Sequence, residues 1–64
     1  MLVTMAAPAS TIVVESGRVY LRGEGYRKQL GTVERQPEGW FARALEGWAT
    51  GPHRSQQAAA ESLA

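Results

Sequence analysis

Thr11 to Arg22 reads TIVV-ESGR-VYLR, two short runs of β-branched and aromatic residues set around a Ser16-Gly17 pair. Strands favour side chains that pack on a pleated surface, and a tight turn needs residues that tolerate positive φ, so this composition reads as an antiparallel hairpin. A two-residue loop at Ser16-Gly17 pairs Glu15 with Arg18, Val14 with Val19, Val13 with Tyr20, Ile12 with Leu21 and Thr11 with Arg22. Directly opposed residues of antiparallel strands share a face. The register therefore gathers Ile12, Val14, Val19 and Leu21 on one side, and Thr11, Val13, Glu15, Arg18, Tyr20 and Arg22 on the other. A slip of one residue would set Ile12 and Val14 against Arg22 and Tyr20, so the pairing is well specified.

Downstream, Gly23-Glu24-Gly25 breaks the pattern and reads as a loop. A second strand, turn and strand follow as YRKQLGTVER, QPEG and WFARALEG. Gln36-Pro37-Glu38-Gly39 has proline and glycine where a type I turn prefers them, and Gly39 also suits a bulge beside the turn. A four-residue loop sets Val33 beside Ala42, whereas a bulged three-residue loop sets it beside Arg43. The first is preferred, because it collects Val33, Trp40, Ala42 and Ala44 on one face. It leaves Leu30, Phe41, Arg43 and Leu45 on the opposite side, which is then not cleanly polar.

Thr50-Gly51-Pro52-His53-Arg54 reads as a connector. Ser55 offers an N-cap oxygen, and Gln56 to Ala64 contains good or tolerable helix formers. Ala59 and Leu63 are spaced to share the buried face, with Ala60 alongside. So short a helix needs tertiary packing to persist, and its alanines would let it lie close under Trp40 or Trp48. Upstream, Met1 to Ser10 (MLVTMAAPAS) is small, weakly apolar and interrupted by Pro8. It reads as a flexible tail that lacks the basic start and long apolar core of a signal peptide.

The whole sequence is 64 residues and 6.9 kDa, with 44% hydrophobic residues, 20% charged residues and a formal net charge of +1. That balance favours one small folded domain over a disordered chain. Its bulky core candidates are Ile12, Val14, Val19, Leu21, Leu30, Val33, Trp40, Leu45, Trp48 and Leu63. Apolar runs are far shorter than the roughly 20 residues that span a bilayer. The absence of cysteine excludes disulfides and thiolate metal sites. These features lead to the expectation of a cytoplasmic domain with no cofactor, no metal and no membrane association.

Conventional catalysis finds little to work with, and no enzyme activity or small-molecule substrate is expected. A nucleophile needs a base within reach and a group to orient that base. His53 is the one histidine, Ser55 follows it, and no aspartate exists to complete a triad. Ser55 as a helix cap and His53 as a loop residue is the plainer reading. The glutamates are scattered, with no pair gathered in a dry pocket of the kind that raises a carboxyl pKa for acid chemistry. Gly23-Glu24-Gly25 lacks the continuation that a phosphate loop requires.

Charge distribution carries more information. Between Arg18 and Lys28 stand four basic residues, Arg18, Arg22, Arg27 and Lys28, against Glu24 alone, whereas the remainder holds three basic and five acidic residues. Arg18, Tyr20 and Arg22 are successive same-side positions of one strand. Such an exposed series can hold phosphates and stack on a base or sugar. The plainer reading is a solvated face with Glu15 and Arg18 as a cross-strand pair, and nucleic-acid-binding domains are usually more basic than this one. Trp40 reads as core. Trp48, at a strand end, reads as partly exposed, in a contact patch with Phe41 and Leu45.

From Leu30 onward, LGTVERQPEGWFARALEGWATGPHRSQQAAAESL resembles a pattern of small bacterial and phage domains. That pattern is an apolar-Gly-x-Val strand, a turn, Gly-Trp-x-Ala, then Ser or Thr opening an alanine-rich helix that closes on leucine. Here it falls on Leu30, Gly31, Val33, Gly39, Trp40, Ala42, Ser55, Ala58, Ala59 and Leu63. The arrangement is similar to the arm-type DNA-binding domains of tyrosine recombinases, a three-stranded sheet followed by a helix. The resemblance implies a sheet face that enters the major groove, carrying Arg18, Tyr20, Arg22, Lys28 and Arg43. Two departures stand out: the family is usually more basic, and its helix usually begins after an aromatic residue, where this chain has His53.

The expected fold is α+β, an antiparallel sheet of three or four strands over residues 11–64 with one C-terminal helix packed on a face. The expected function is a non-enzymatic binding module. In one form it binds nucleic acid through Arg18, Tyr20, Arg22, Arg27, Lys28 and Arg43. In the other it is a protein-interaction or homodimerisation module that makes contact through Phe41, Leu45 and Trp48.

Overall fold

Alternation around Ser16-Gly17 produces the register it dictates. In the computed structural model, which describes residues 11–64, β1 (Thr11–Glu15) pairs with β2 (Arg18–Gly23) from Thr11 opposite Arg22 to Glu15 opposite Arg18. Ser16 at φ 51° and Gly17 at φ 80° form the turn. Positive φ at both central positions gives the primed turn whose twist matches that of the strands. The expected tail, Met1 to Ser10, lies outside the described residues.

The chain continues as a meander through β3 (Tyr26–Gln36), β4 (Gly39–Ala44) and β5 (Ala49–His53) to α1 (Gln56–Glu61). The described residues thus form one antiparallel sheet of five strands in the order β1-β2-β3-β4-β5, plus a short helix. The class is α+β, and the expectation of three or four strands is corrected to five. The added strand is β5, which Gly51 and Pro52 disguise as a connector. Proline is tolerated at a sheet edge, where a missing N–H costs no ladder bond, and β5 is an edge. The Gly51–Pro52 peptide is cis. His53, expected in a loop, closes this strand.

At the second hairpin Gln36 faces Gly39 and Val33 faces Ala42, the preferred alternative. β3 holds a feature that alternation alone does not reveal. Val19 faces Gly31, but Tyr20 faces Gln29, so the register shifts and Leu30 is the extra residue of a β-bulge. Side-chain parity reverses at this point. Leu30, expected on the side away from Val33, packs instead against the core.

The core consists of Val19, Val33, Ala42, Ala44, Ala59, Ala60 and Leu63, with Ile12, Val14, Leu30 and Trp40 packed around it. Its small side chains let α1 lie close to the sheet, in contact with β1, β3, β4 and β5. Ser55 caps the helix as its sequence position implies, its Oγ accepting a hydrogen bond from the Ala58 N–H at 3.0 Å. At the other end the Ser62 hydroxyl lies 2.6 Å from the Thr50 hydroxyl and donates to the Ala59 carbonyl at 2.6 Å. Thr50 also meets the His53 Nε2 at 2.9 Å, so β5 is fastened to the helix by side chains. Leu45 and Trp48 do not join the core, remaining 64% and 49% exposed. Among the described residues, no helix is long and apolar enough to cross a membrane.

Candidate functional site

With α1 on one side of the sheet, no described element covers the opposite side of β1–β3, which is bare among the described residues, and three transverse rows of side chains cross it. Cross-strand partners place Glu15, Arg18 and Thr32 in one row, Val13, Tyr20 and Gln29 in the next, and Thr11, Arg22 and Arg27 in the third. Arg18, Tyr20 and Arg22 follow one another at about 7 Å, two residues along a strand. Arg18, Arg22 and Arg27 are exposed and Tyr20 is half-buried.

Arg27 organises this surface. Its guanidinium carbon sits 4.1 Å from the centre of the Tyr20 ring, within the range of a cation–π contact. The same side chain donates from Nη2 to Glu15 Oε1 at 2.8 Å, with both groups about half exposed. Arg27 is thus a planar cation laid over an aromatic ring, and the Glu15 carboxylate holds it in place. The plainer sequence reading paired Glu15 with Arg18. The structure pairs it with Arg27 instead, leaving Arg18 and Arg22 without a carboxylate partner among the described residues.

The bulge at Leu30 decides which cations belong to this face. Before it, Lys28 pairs with Leu21 and Arg27 with Arg22, so adjacent residues point to opposite sides. Lys28, expected beside the arginines, lies on the helix side instead, in a groove it lines with Leu30, Leu45, Trp48 and Leu63. An uninterrupted β3 would have kept Lys28 in phase with Thr32 on the bare face. The signal was Leu30-Gly31, a large apolar residue beside a strand-interior glycine, a combination that often marks a bulge.

Arg43 lies on the bare face opposite Thr32, two strands from Arg18. Its Nη1 donates to the Gly47 carbonyl at 2.9 Å, bracing the loop between β4 and β5. Phe41 also lies on the bare face, half-buried, over the backbone of Gly51, where a Cβ would overlap its ring. It lines a shallow depression with Thr32, Glu34, Gln36, Arg43 and Ala49. The expected apolar trio is therefore divided: Leu45 and Trp48 share the groove with Lys28, and Phe41 lies elsewhere. Sequence reasoning missed Leu30 and Leu63 as groove-lining residues, because parity alone sends Leu30 to the wrong side.

No known protein family, curated protein or solved structure matches the chain. The likeness to recombinase arm-type domains therefore stands on the quoted residues alone.

Proposed function

We propose that this domain binds nucleic acid through the bare face of β1–β3, without sequence-specific chemistry of its own. The observation that carries this reading is the Arg27–Tyr20 stack between exposed Arg18 and Arg22. A guanidinium plane backed by an aromatic ring is a platform on which an unstacked base can lie, and flanking arginines can hold the phosphates on either side. The one carboxylate in these rows, Glu15, is engaged by Arg27. In this reading Lys28 takes no part, and Arg43 is a peripheral contact already committed to Gly47.

Fluorescence anisotropy of labelled single-stranded DNA, duplex DNA and RNA at low salt tests the reading. We expect micromolar binding with preference for single strands. Replacing Arg18 and Arg22 together by alanine should weaken every complex, whereas Lys28→Ala should leave affinity within about twofold, since it removes no phosphate contact. Failure of all three nucleic acids to bind would overturn the proposal, as would equal losses from the Lys28 and arginine substitutions.

A second reading is favoured by a different observation, the exposure of Leu45 and Trp48 beside Leu30 and Leu63. That groove suits a protein contact. Its affinity would hold or strengthen in salting-out salts, where phosphate binding is lost.

A further inference from the structure

Among the described residues the sheet has two edges, β1 and β5, and they differ in kind. β5 carries Gly51-Pro52, shifts register against β4 between Trp40 and Ala42, and is tied to the helix through Thr50 and Ser62. β1, TIVVE, has no proline, glycine, lysine or bulge. Natural edge strands usually carry such features to prevent pairing with another chain. β1 instead presents three consecutive β-branched residues, Ile12, Val13 and Val14, all partly exposed.

Hairpin geometry identifies the backbone groups at this edge. A two-residue turn closes on a hydrogen-bonded pair, here Glu15 and Arg18. Such pairs recur at every second position of an antiparallel ladder. Thr11 and Val13 therefore direct their N–H and C=O groups to β2, while Ile12 and Val14 direct theirs outward. We propose that β1 pairs antiparallel with β1 of a second copy of this chain, about a two-fold axis through Val13.

Three observations single out that occupant and register. In this arrangement Ile12 of one copy faces Val14 of the other, so the outward-directed groups satisfy one another in two hydrogen-bonded pairs, while Val13 meets Val13 at the non-bonded position between them. The charges also agree. Glu15 falls opposite Thr11, and no like charges are opposed across the axis. Finally, the faces are preserved, because Ile12 and Val14 both belong to the helix side and Val13 to the bare side. An unrelated peptide would have to reproduce this pattern of phase and charge, which a second copy supplies by symmetry. Each copy contributes its five strands to one continuous sheet, and the two arginine faces become a single surface. The contact does not depend on what that surface binds.

Val13 sits on the axis, so a charge placed there meets its own image at the closest cross-strand spacing. Sedimentation velocity on the full chain, from micromolar to millimolar concentration, should show a reversible dimer. Val13→Lys and Val13→Glu should each weaken self-association by about fivefold or more, with far-UV circular dichroism unchanged. An equimolar mixture of the two variants should restore the dimer, because the axis then pairs opposite charges. A wild-type monomer at millimolar concentration overturns the proposal. A dimer indifferent to both substitutions also overturns it, placing the contact elsewhere, as at Leu45 and Trp48. Loss in both variants without recovery on mixing overturns it as well, since that outcome reports damage to the hairpin rather than charge at the axis.

Discussion

Gly31 shows how much of this fold rests on one missing carbon. It follows the bulged residue on β3, between Val19 on one side and Ala44 on the other. A Cβ at this position would overlap the Arg43 carbonyl oxygen and come within 3.0 Å of the Ala44 Cα. Backbone cannot yield as a side chain would, so β3 and β4 would have to move apart beside the tightly packed Ala42 and Ala44. Gly31→Ala should therefore cost about 3 kcal/mol, the upper range for an overpacked core, read from the midpoint of urea unfolding. Arg27 makes the opposite case. Its contacts to Tyr20 and Glu15 are solvent-exposed, and exposed ion pairs contribute only about 0.2–1 kcal/mol. In the proposed binding surface its part is what the guanidinium presents, since it adds little to holding the sheet together.

Among the elements, the first hairpin was legible down to every pairing, because one register around Ser16-Gly17 gathers Ile12, Val14, Val19 and Leu21 on a single face. Its turn nevertheless has room for improvement. Ser16 adopts φ 51°, a conformation in which asparagine is the better residue. Ser16→Asn should raise stability by about 0.5 kcal/mol, since single turn and cap optimisations commonly yield gains of this size, and thermal unfolding would show it as a higher midpoint. The start and buried face of the helix were readable from Ser55 and the spacing of Ala59 and Leu63, whereas the helix ends at Glu61 rather than running to Ala64. Ser55→Ala removes the acceptor for the Ala58 N–H and should cost about 1 kcal/mol, with calorimetry as the check. β5 and the bulge were not readable. Glycine and proline are signals for loops unless one knows that the strand lies at an edge, and that knowledge depends on the order of the whole sheet. The bulge is a relation between β2 and β3, and within β3 its one sign is the strand-interior Gly31 after Leu30. This is why alternation puts Arg18, Tyr20 and Arg22 on one face as observed, but does not reveal that Arg27 joins them and Lys28 does not.

At the scale of the whole molecule, the helix packs on one side of the sheet and Arg18, Arg22 and Arg27 occupy the other, so a net charge of +1 conceals a local concentration of cations. If Arg18 and Arg22 each neutralise a phosphate, the logarithm of single-strand affinity should fall against the logarithm of salt concentration with a slope of about −1.4. The Arg18 and Arg22 double substitution should bring that slope close to zero. An anisotropy titration across a salt series measures both.

The extra residue in β3 acts like a frameshift written in three dimensions. From Gly31 onward the strand keeps its phase with β4 and the core. Before it, every side chain has exchanged sides, so that Arg27 and Gln29 look outward where Tyr26, Lys28 and Leu30 otherwise would. A change of one residue in strand length can therefore replace the chemistry of an entire surface while the interior beyond it keeps its packing. A lineage carrying such a strand has a route to new ligands that substitution, working one side chain at a time, does not offer.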